Sequence, residues 1–562
     1  MPPDLTPVVV VTGPGGVRAP QALIKLQEFA ARSPHDMTVA VRELDDLLVP
    51  EYQQQYSDAG PQARRLERFG LPELLLRPKE ILLEMWRRVA EASIKECASE
   101  RDRGIDMAIL SFHAIFYNNR SREFFSPVDI AFLSERLQAH DFQLVRVVTL
   151  IDDIYDVFRH LASPPHVFQL SVRSDPIKKT TQAILNLQLA LDWRSFELLQ
   201  ASQLCRSVGL PRSAHVELSV KHSLDVGFRV IIQGSPTLYI SHPITIVRHD
   251  LDFQHDVQSL GAELLRAELP APVTPTSIDE LRLAATGSGS ARRYHPRLTQ
   301  RWVPDDAHLE THAGDLLFVP PRNPRMNPLD PDDALGPDGD EFLSGLLLNL
   351  VDSLNAHIAS RDRTLVEQAS LLVVWRPLLN GILSQGVKAE IEHRNSLRQH
   401  RLLPPNGTPC FVYSPNADVA EFRLNALLEA LRQRARRRSG TVLNDEDLDQ
   451  LRRSLLGQSR IMRDLTGGTA DAHETFAACQ SLFTDLVPIA DRDESALGGT
   501  PEVEEQAAAD DAWVEEVRRV NGLDPLEGLL SDSDFVERET RTIHEFVDLV
   551  IHKWSSRQEG AT

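Results

Sequence analysis

Cysteine is scarce: four in 562 residues (Cys97, Cys205, Cys410 and Cys479), far apart and without a CxxC pair. That argues against a disulfide framework or a zinc knuckle, and it fits a reducing, cytoplasmic setting. Long apolar runs are missing too. The most apolar later stretch, Leu343 to Ile358, is interrupted by Asn349, Asp352, Asn355 and His357, so no segment reads as membrane-spanning. The opening MPPDLTPVVVVTG has no basic start followed by a long apolar core and is not expected to be a signal peptide. Positive charge is in deficit, with 60 Lys and Arg against 81 Asp and Glu and a formal net charge of −21. Generic adhesion to nucleic acid or to an anionic membrane is therefore not expected. No internal repeat is visible.

What is present is ordinary globular material, 42% hydrophobic and 25% charged, enough for several cores and two or three domains. Strand-like runs at Pro7–Thr12, Thr38–Arg42, Met107–Tyr117, Leu144–Ile151 and His215–His222 alternate with helical stretches at Ala19–Arg32, Lys79–Cys97 and Thr181–Val208. Continuous apolar strands between amphipathic helices predict a parallel sheet covered on both faces. A second such unit starts at Pro236–Ile244, with helix Phe253–Glu268, strand Asp315–Pro320, helix Glu341–Ala359, strand Ser370–Arg376, helix Gly386–Gln399 and strand Cys410–Tyr413. After Pro415 strand signals vanish, and helices are expected at Val419–Arg438, Asp445–Asp464, Asp510–Val520 and Asp534–Trp554. The expected fold is α/β: two doubly wound, Rossmann-like parallel-sheet domains in tandem, then a helical C-terminal region. Their bounds are 1–230, 231–415 with an insertion at about 270–337, and 416–562 with an acidic linker at about 491–511.

After the first strand comes Gly13-Pro14-Gly15-Gly16-Val17-Arg18-Ala19-Pro20, opening a helix. Such a turn aims backbone N–H groups and the positive helix end at one spot, which suits a phosphate. A GxxxxGK[ST] loop would need a glycine, a lysine and a hydroxyl at its end. Counted from Gly13, its last three positions are Arg18, Ala19 and Pro20. The lysine for the β/γ-phosphates and the hydroxyl for magnesium are absent.

The order VVVVTGPGGV, MAILSFHAIFYNNRSREFFSPVD, LVRVVTLIDDIYDVFRHL, LDWRSFELLQASQLCRSVG and SVKH resembles a P-loop nucleotide kinase, most closely the archaeal-type adenylate kinases, over roughly residues 7–225. The resemblance implies a nucleotide ligand near Gly13, Gly15, Gly16, Arg18 and His113. It places Arg120, Arg122 and Arg159 where phosphates would be met. The damaged loop points to a sensing or structural domain.

In the second unit, Tyr239-Ile240-Ser241-His242-Pro243 ends a strand. Trp375-Arg376-Pro377 ends another and leads through a loop to Ser384-Gln385-Gly386-Val387-Lys388-Ala389-Glu390-Ile391. Ligands of open parallel sheets bind beyond the carboxyl ends of strands, and Glu390 is expected in the first turn of a helix, where the dipole favours an ionised carboxylate. These segments resemble the nucleoside 2-deoxyribosyltransferase-like family over residues 236–415, whose members carry a strand ending YIAGP or YISGP and a glutamate in S-x-G-V-x-x-E-I. The resemblance implies that Glu390 is a nucleophile on the anomeric carbon of a ribosyl or deoxyribosyl group, with Tyr239 and His242 orienting the substrate. Asp362 is the nearest upstream carboxylate to serve as the sugar- or base-facing acid; Ser241, Pro243, Arg248, Arg376, Ser384 and Gly386 are candidate substrate or phosphate contacts. His242 departs from the family's glycine. The plainer reading of Glu390, with Glu392 and His393, is the wet face of a helix.

Three readings follow: a glycosidase or glycosyltransferase acting on a nucleoside, nucleotide or NAD-like molecule, in salvage or as a nucleotide-depleting antiviral effector; an atypical nucleotide kinase; and a non-catalytic nucleotide-binding scaffold. The first requires no cofactor and no metal, and the family resemblance implies a homo-oligomer.

Overall fold

The computed structural model describes residues 5–559 apart from 33, 57–60, 119–120, 163–175, 248–249, 276–282, 287–292, 299–336, 401–407, 440–452, 454–518, 520–523, 525, 531–533 and 541. The chain divides into two compact units, residues 1–238 with 270–369, and residues 239–269 with 370–562.

In the first unit, β1 (Thr6–Thr12), β2 (Val39–Glu43), β3 (Met107–Ser111), β6 (Phe142–Ile151) and β7 (His215–Ser219) form a sheet of order β2-β3-β1-β6-β7. Every neighbouring pair in it is parallel. β1 sits in the middle because its run of valines is the most β-prone and apolar segment. Val8 and Val10 share one face and join Leu82, Met85, Trp86 and Val89 of helix Lys79–Arg101 in one core. Val9 and Val11 face the other way and are just as buried, so both faces are covered. Helix Ala19–Ala30 carries Pro20 in its first turn, where proline is tolerated.

The run expected as one strand from Met107 to Tyr117 is broken after Ser111. The N–H groups of His113, Ala114 and Ile115 are taken by side-chain carboxylates of Asp45 and Glu197, not by a neighbouring strand. The chain resumes as a short antiparallel hairpin of β4 (Phe116–Asn118) and β5 (Glu123–Phe125).

The second sheet contains β8 (Thr237–Ser241), β9 (Ala271–Val273), β12 (Ala369–Trp375), β13 (Cys410–Tyr413) and β14 (Phe535–Glu537), in the order β14-β13-β12-β8-β9. β12, β13 and β14 run parallel. Within the expected insertion, β10 (Leu283–Thr286) and β11 (Arg293–Leu298) make an antiparallel pair. Asp250 caps helix Leu251–Arg266 and Ser384 caps helix Gln385–Gln399, each side chain accepting from the N–H three residues on.

Two boundaries differ from expectation. Residues 270–369 group with the first unit because helix Pro337–Gln368 packs along helix Pro176–Ser207. The Gln368 amide also brackets the backbone of Glu217 in β7, donating to its carbonyl at 2.9 Å and accepting from its N–H at 2.8 Å. Second, the region after Pro415 is not wholly helical: Phe535–Glu537 is an edge strand, and the last helix runs Ile543–Glu559. Helix Asn416–Ser439 agrees with expectation. The expected strand Asp315–Pro320, helix Asp445–Asp464 (apart from Arg453) and linker 491–511 lie outside the described residues, as does nearly all of Asp510–Val520. Among the described residues no helix is long and apolar enough to cross a membrane.

Candidate functional site

β8 and the helix after β12 bring three of the expected residues together. The Tyr239 hydroxyl donates to Glu390 Oε1 at 2.9 Å, and the Ser241 hydroxyl donates to Oε2. Tyr239 and Ser241, two apart on a strand, share a face by the period of two, so one carboxylate receives both. Glu390 is 7% exposed. It is not on the wet face of its helix, and it is not in the first turn: it is the sixth helical residue, counted from Gln385. The field of a helix end fades within a turn, so hydroxyl contacts hold this carboxylate more than the dipole does. Ser384 is the helix cap. Gly386 opens that helix with room for a side chain, since an added Cβ would meet only Ser384 Oγ, at 3.9 Å.

The sheet order sets where a ligand belongs. β8 and β12 are neighbours, and the chain moves outward from them in opposite directions, to β9 on one side and to β13 and β14 on the other. Such a switch point opens a crevice at the carboxyl ends of the two central strands. Ser241 and His242 stand at the end of β8, and Trp375 and Arg376 at the end of β12. His242 is 4% exposed, and among the described residues neither ring nitrogen has a partner of good hydrogen-bond geometry, although the Ile240 backbone lies near enough to favour the charged ring. Burial pushes its pKa down to about 4, against a smaller opposing influence from the Ile240 backbone, so the ring is neutral at pH 7. Its ring lies 6.2 Å from that of Phe253.

Arg376 adopts φ +48° and holds Asp418 with two bonds of 2.7 and 3.0 Å, its guanidinium 6.0 Å from the Phe253 ring centre. Its charge is thus matched within the fold by an aspartate. Pro243 is buried and accepts the N–H of Val247. Arg248 lies outside the described residues. Asp362 belongs to helix Pro337–Gln368 of the first unit, where Arg361 binds it at 2.8 and 3.0 Å.

In the first unit the glycine turn is filled from within. The Glu197 side chain, fully buried, accepts the N–H groups of Gly13 (3.2 Å), Ala114 (2.7 Å) and Ile115 (2.8 Å). Trp193, one helical turn earlier, donates its indole N–H to the Ile115 carbonyl and lays its ring on Gly15, where a Cβ would come within 2.3 Å of it. Gly16, at φ +92°, is crowded by Val157 and Leu161. Arg18 opens helix Ala19–Ala30 as its capping residue, without a side-chain cap.

His113 Nδ1 lies 2.6 Å from Asp45, which also accepts the His113 N–H. Burial works against a charged His113 ring. The bond and charge of Asp45, with the charges of Glu197 and Glu43, outweigh it and raise the pKa to about 9. Burial raises Glu197 to about 8, with His113 and the Ala114 and Ile115 N–H groups pulling the other way. Arg122 is exposed in the turn between β4 and β5, at φ +56°. Arg120 lies outside the described residues, and so does the Arg159 side chain.

Sequence reasoning passed over Glu197 and Trp193. Their spacing of four on a helix marks a shared face, but nothing in it names the glycine turn as the partner. It also passed over the buried trio Asp152, Asp153 and Asp156, the one cluster among the described residues whose ligand atoms are close enough to share a metal ion. Lys221 already occupies it, bonded to Asp153 and reaching Asp156 at 2.7 Å and Asp152 at 3.1 Å. Burial opposes that ammonium, but the three aspartates raise its pKa well above the usual lysine value.

No protein-family model matches the chain, and no curated protein matches it.

Proposed function

We propose that the protein cleaves or transfers the N-glycosidic bond of a nucleoside, nucleotide or NAD-like molecule, with Glu390 as nucleophile. The observation that carries this reading is the Glu390 carboxylate, buried against the end of β8 with hydroxyl donors on both oxygens. A carboxylate so fixed can attack an anomeric carbon as the base departs with the bonding pair. The glycosyl-enzyme ester is then opened by water, giving the free sugar, or by a second base. Tyr239 and Ser241 hold the attacking oxygens in place.

In this reading the second unit is a Rossmann-like domain of the nucleoside 2-deoxyribosyltransferase-like kind. The first is a P-loop-kinase-like domain without phosphoryl transfer. Its loop lacks the lysine and the hydroxyl, and a carboxyl group takes the Gly13 N–H, the first of those that would meet an anion. That occupancy favours a structural or sensing role for the first unit over the kinase reading. Nucleotide depletion in defence, nucleotide salvage, cytoplasmic location and assembly into a homo-oligomer belong to the same proposal.

The test is chromatography of free base after incubation with nucleosides, nucleoside mono- and triphosphates, deoxynucleotides and NAD, with and without a second base as acceptor. Wild-type protein is expected to release base from at least one compound, and the Glu390→Gln variant from none. Absence of release by wild-type protein across the panel overturns the proposal.

A further inference from the structure

We propose that His242 is the specificity-determining residue of the Glu390 site, hydrogen-bonding an uncharged edge of the bound nucleoside-like ligand; this rests on the reading of Glu390 as the nucleophile.

Buried polar groups are almost always paired, so each exception asks for a partner that is missing. In the second unit, buried side-chain atoms without a partner among the described residues include His242 Nδ1 and Nε2, Trp375 Nε1 and Ser414 Oγ. They are not scattered. His242 follows β8, Trp375 ends β12 and Ser414 follows β13, three adjacent strands of the sheet, all at carboxyl ends, the side on which open parallel sheets bind ligands. Phe253 ties two of these ends together: the His242 ring lies near it, and so does the guanidinium of Arg376, the residue after Trp375. His242 is also the residue after Ser241, which holds Glu390. His242 thus adjoins in the chain the residue that holds the attacking carboxylate, and among the described residues its ring nitrogens lack a partner of good geometry.

The chemistry of the groups narrows what they recognise. A neutral imidazole offers one donor and one acceptor, an indole one donor, and a serine both. Such a set suits hydroxyls, ring nitrogens and amide edges of a sugar or base. None of these groups carries a positive charge for a phosphate, and Arg376 is committed to Asp418. A site built to hydrogen-bond a substrate group discriminates strongly against analogues that lack it, because its own polar atoms are then left unpaired.

The test compares wild type, His242→Phe and His242→Gln on the four common 2′-deoxyribonucleosides and their ribonucleoside counterparts. It measures kcat/KM for base release, and equilibrium binding in the Glu390→Gln background. His242→Phe keeps a ring against Phe253 but has no polar atom. It is expected to weaken the preferred nucleoside by about tenfold or more and to flatten the ratios across the panel, with His242→Gln restoring part of the preference. If His242→Phe releases base at wild-type rates with unchanged ratios, His242 is only a packing residue and the inference falls while the Glu390 reading stands. If wild-type protein neither binds nor cleaves any of the eight, the inference falls, and the Glu390 reading falls with it only if nucleotides and NAD also release no base. Should His242→Phe fail to fold, the imidazole ¹⁵N resonances of the wild type decide, assigned by their loss in His242→Gln. A bound nucleoside that leaves them unmoved overturns the inference.

Discussion

Glu390 is held through two single hydroxyl groups, and each can be removed without changing the backbone. Tyr239→Phe takes away one donor to a buried carboxylate. A bond to a charged group contributes about 1.5–3 kcal/mol to stability, so the unfolding midpoint is expected to fall, and kcat for base release to fall by about tenfold or more as the carboxylate loses its support. Steady-state kinetics beside a denaturant titration check both halves. At the other unit's turn, Gly15→Ala drives a methyl group into the Trp193 ring, and overpacking of this kind costs about 1–3 kcal/mol. The loss should appear as a lowered unfolding midpoint and be largely relieved when Trp193→Leu is added. If Gly15 were there for a phosphate instead, the single substitution would leave the midpoint unchanged.

Among the elements, the strand Phe535–Glu537 shows how a segment with little local signal is fixed. Asp534, just before it, receives Arg394 Nη1 and Nη2 at 2.8 and 2.5 Å, both side chains fully buried, and it also accepts the Cys410 N–H. Arg394 Nε is satisfied by the Thr408 carbonyl at 2.7 Å. Removing one partner of such a pair leaves a buried charge alone, so Asp534→Asn or Arg394→Met is expected to cost about 3–5 kcal/mol of unfolding free energy.

The long apolar strands were legible from residue type and spacing, whereas Ser384, expected at the substrate, is a helix cap. A three-residue strand was not legible, because FVE merges with the helical periodicity beyond it, and its partner Arg394 lies 140 positions away. That Tyr239, Ser241 and Glu390 belong to one site was legible only through the family resemblance, and their mutual hydrogen bonds were not. The filling of the glycine turn by Glu197 was not, since a helix carries no mark of what its buried face will touch. Asp362 illustrates the converse: nearness in sequence suggested a role, and the fold placed it on a helix of the other unit.

Across the whole molecule, the buried titratable groups set a pH dependence whose sign can be worked out. Glu43, raised to about 7, and Glu197, raised to about 8, are both pushed up by burial, while His113 is raised to about 9 against burial by its acidic neighbours. Each folded pKa lies above its unfolded value, so each contribution is complete below that unfolded value and is lost as pH rises through the folded one. Buried His215, His222 and His242, lowered to about 4, act in the opposite sense, but only below about pH 6.5. Between pH 6.5 and 9 the raised groups act alone among these six, and stability is expected to fall. Denaturant midpoints at the two ends of that range check it, and Glu197→Gln should narrow the difference. The same buried carboxyl group, with the missing lysine and hydroxyl, leads us to expect no magnesium-dependent phosphate transfer from ATP to a nucleoside monophosphate.

The central claim is that Glu390 makes the covalent bond to sugar. Its most direct test is the rate of base release from the best substrate by wild type and by Glu390→Gln, each shown to be folded by its unfolding midpoint. A fall of about a thousandfold or more in a folded variant is the predicted result. Comparable rates in the two proteins would contradict it.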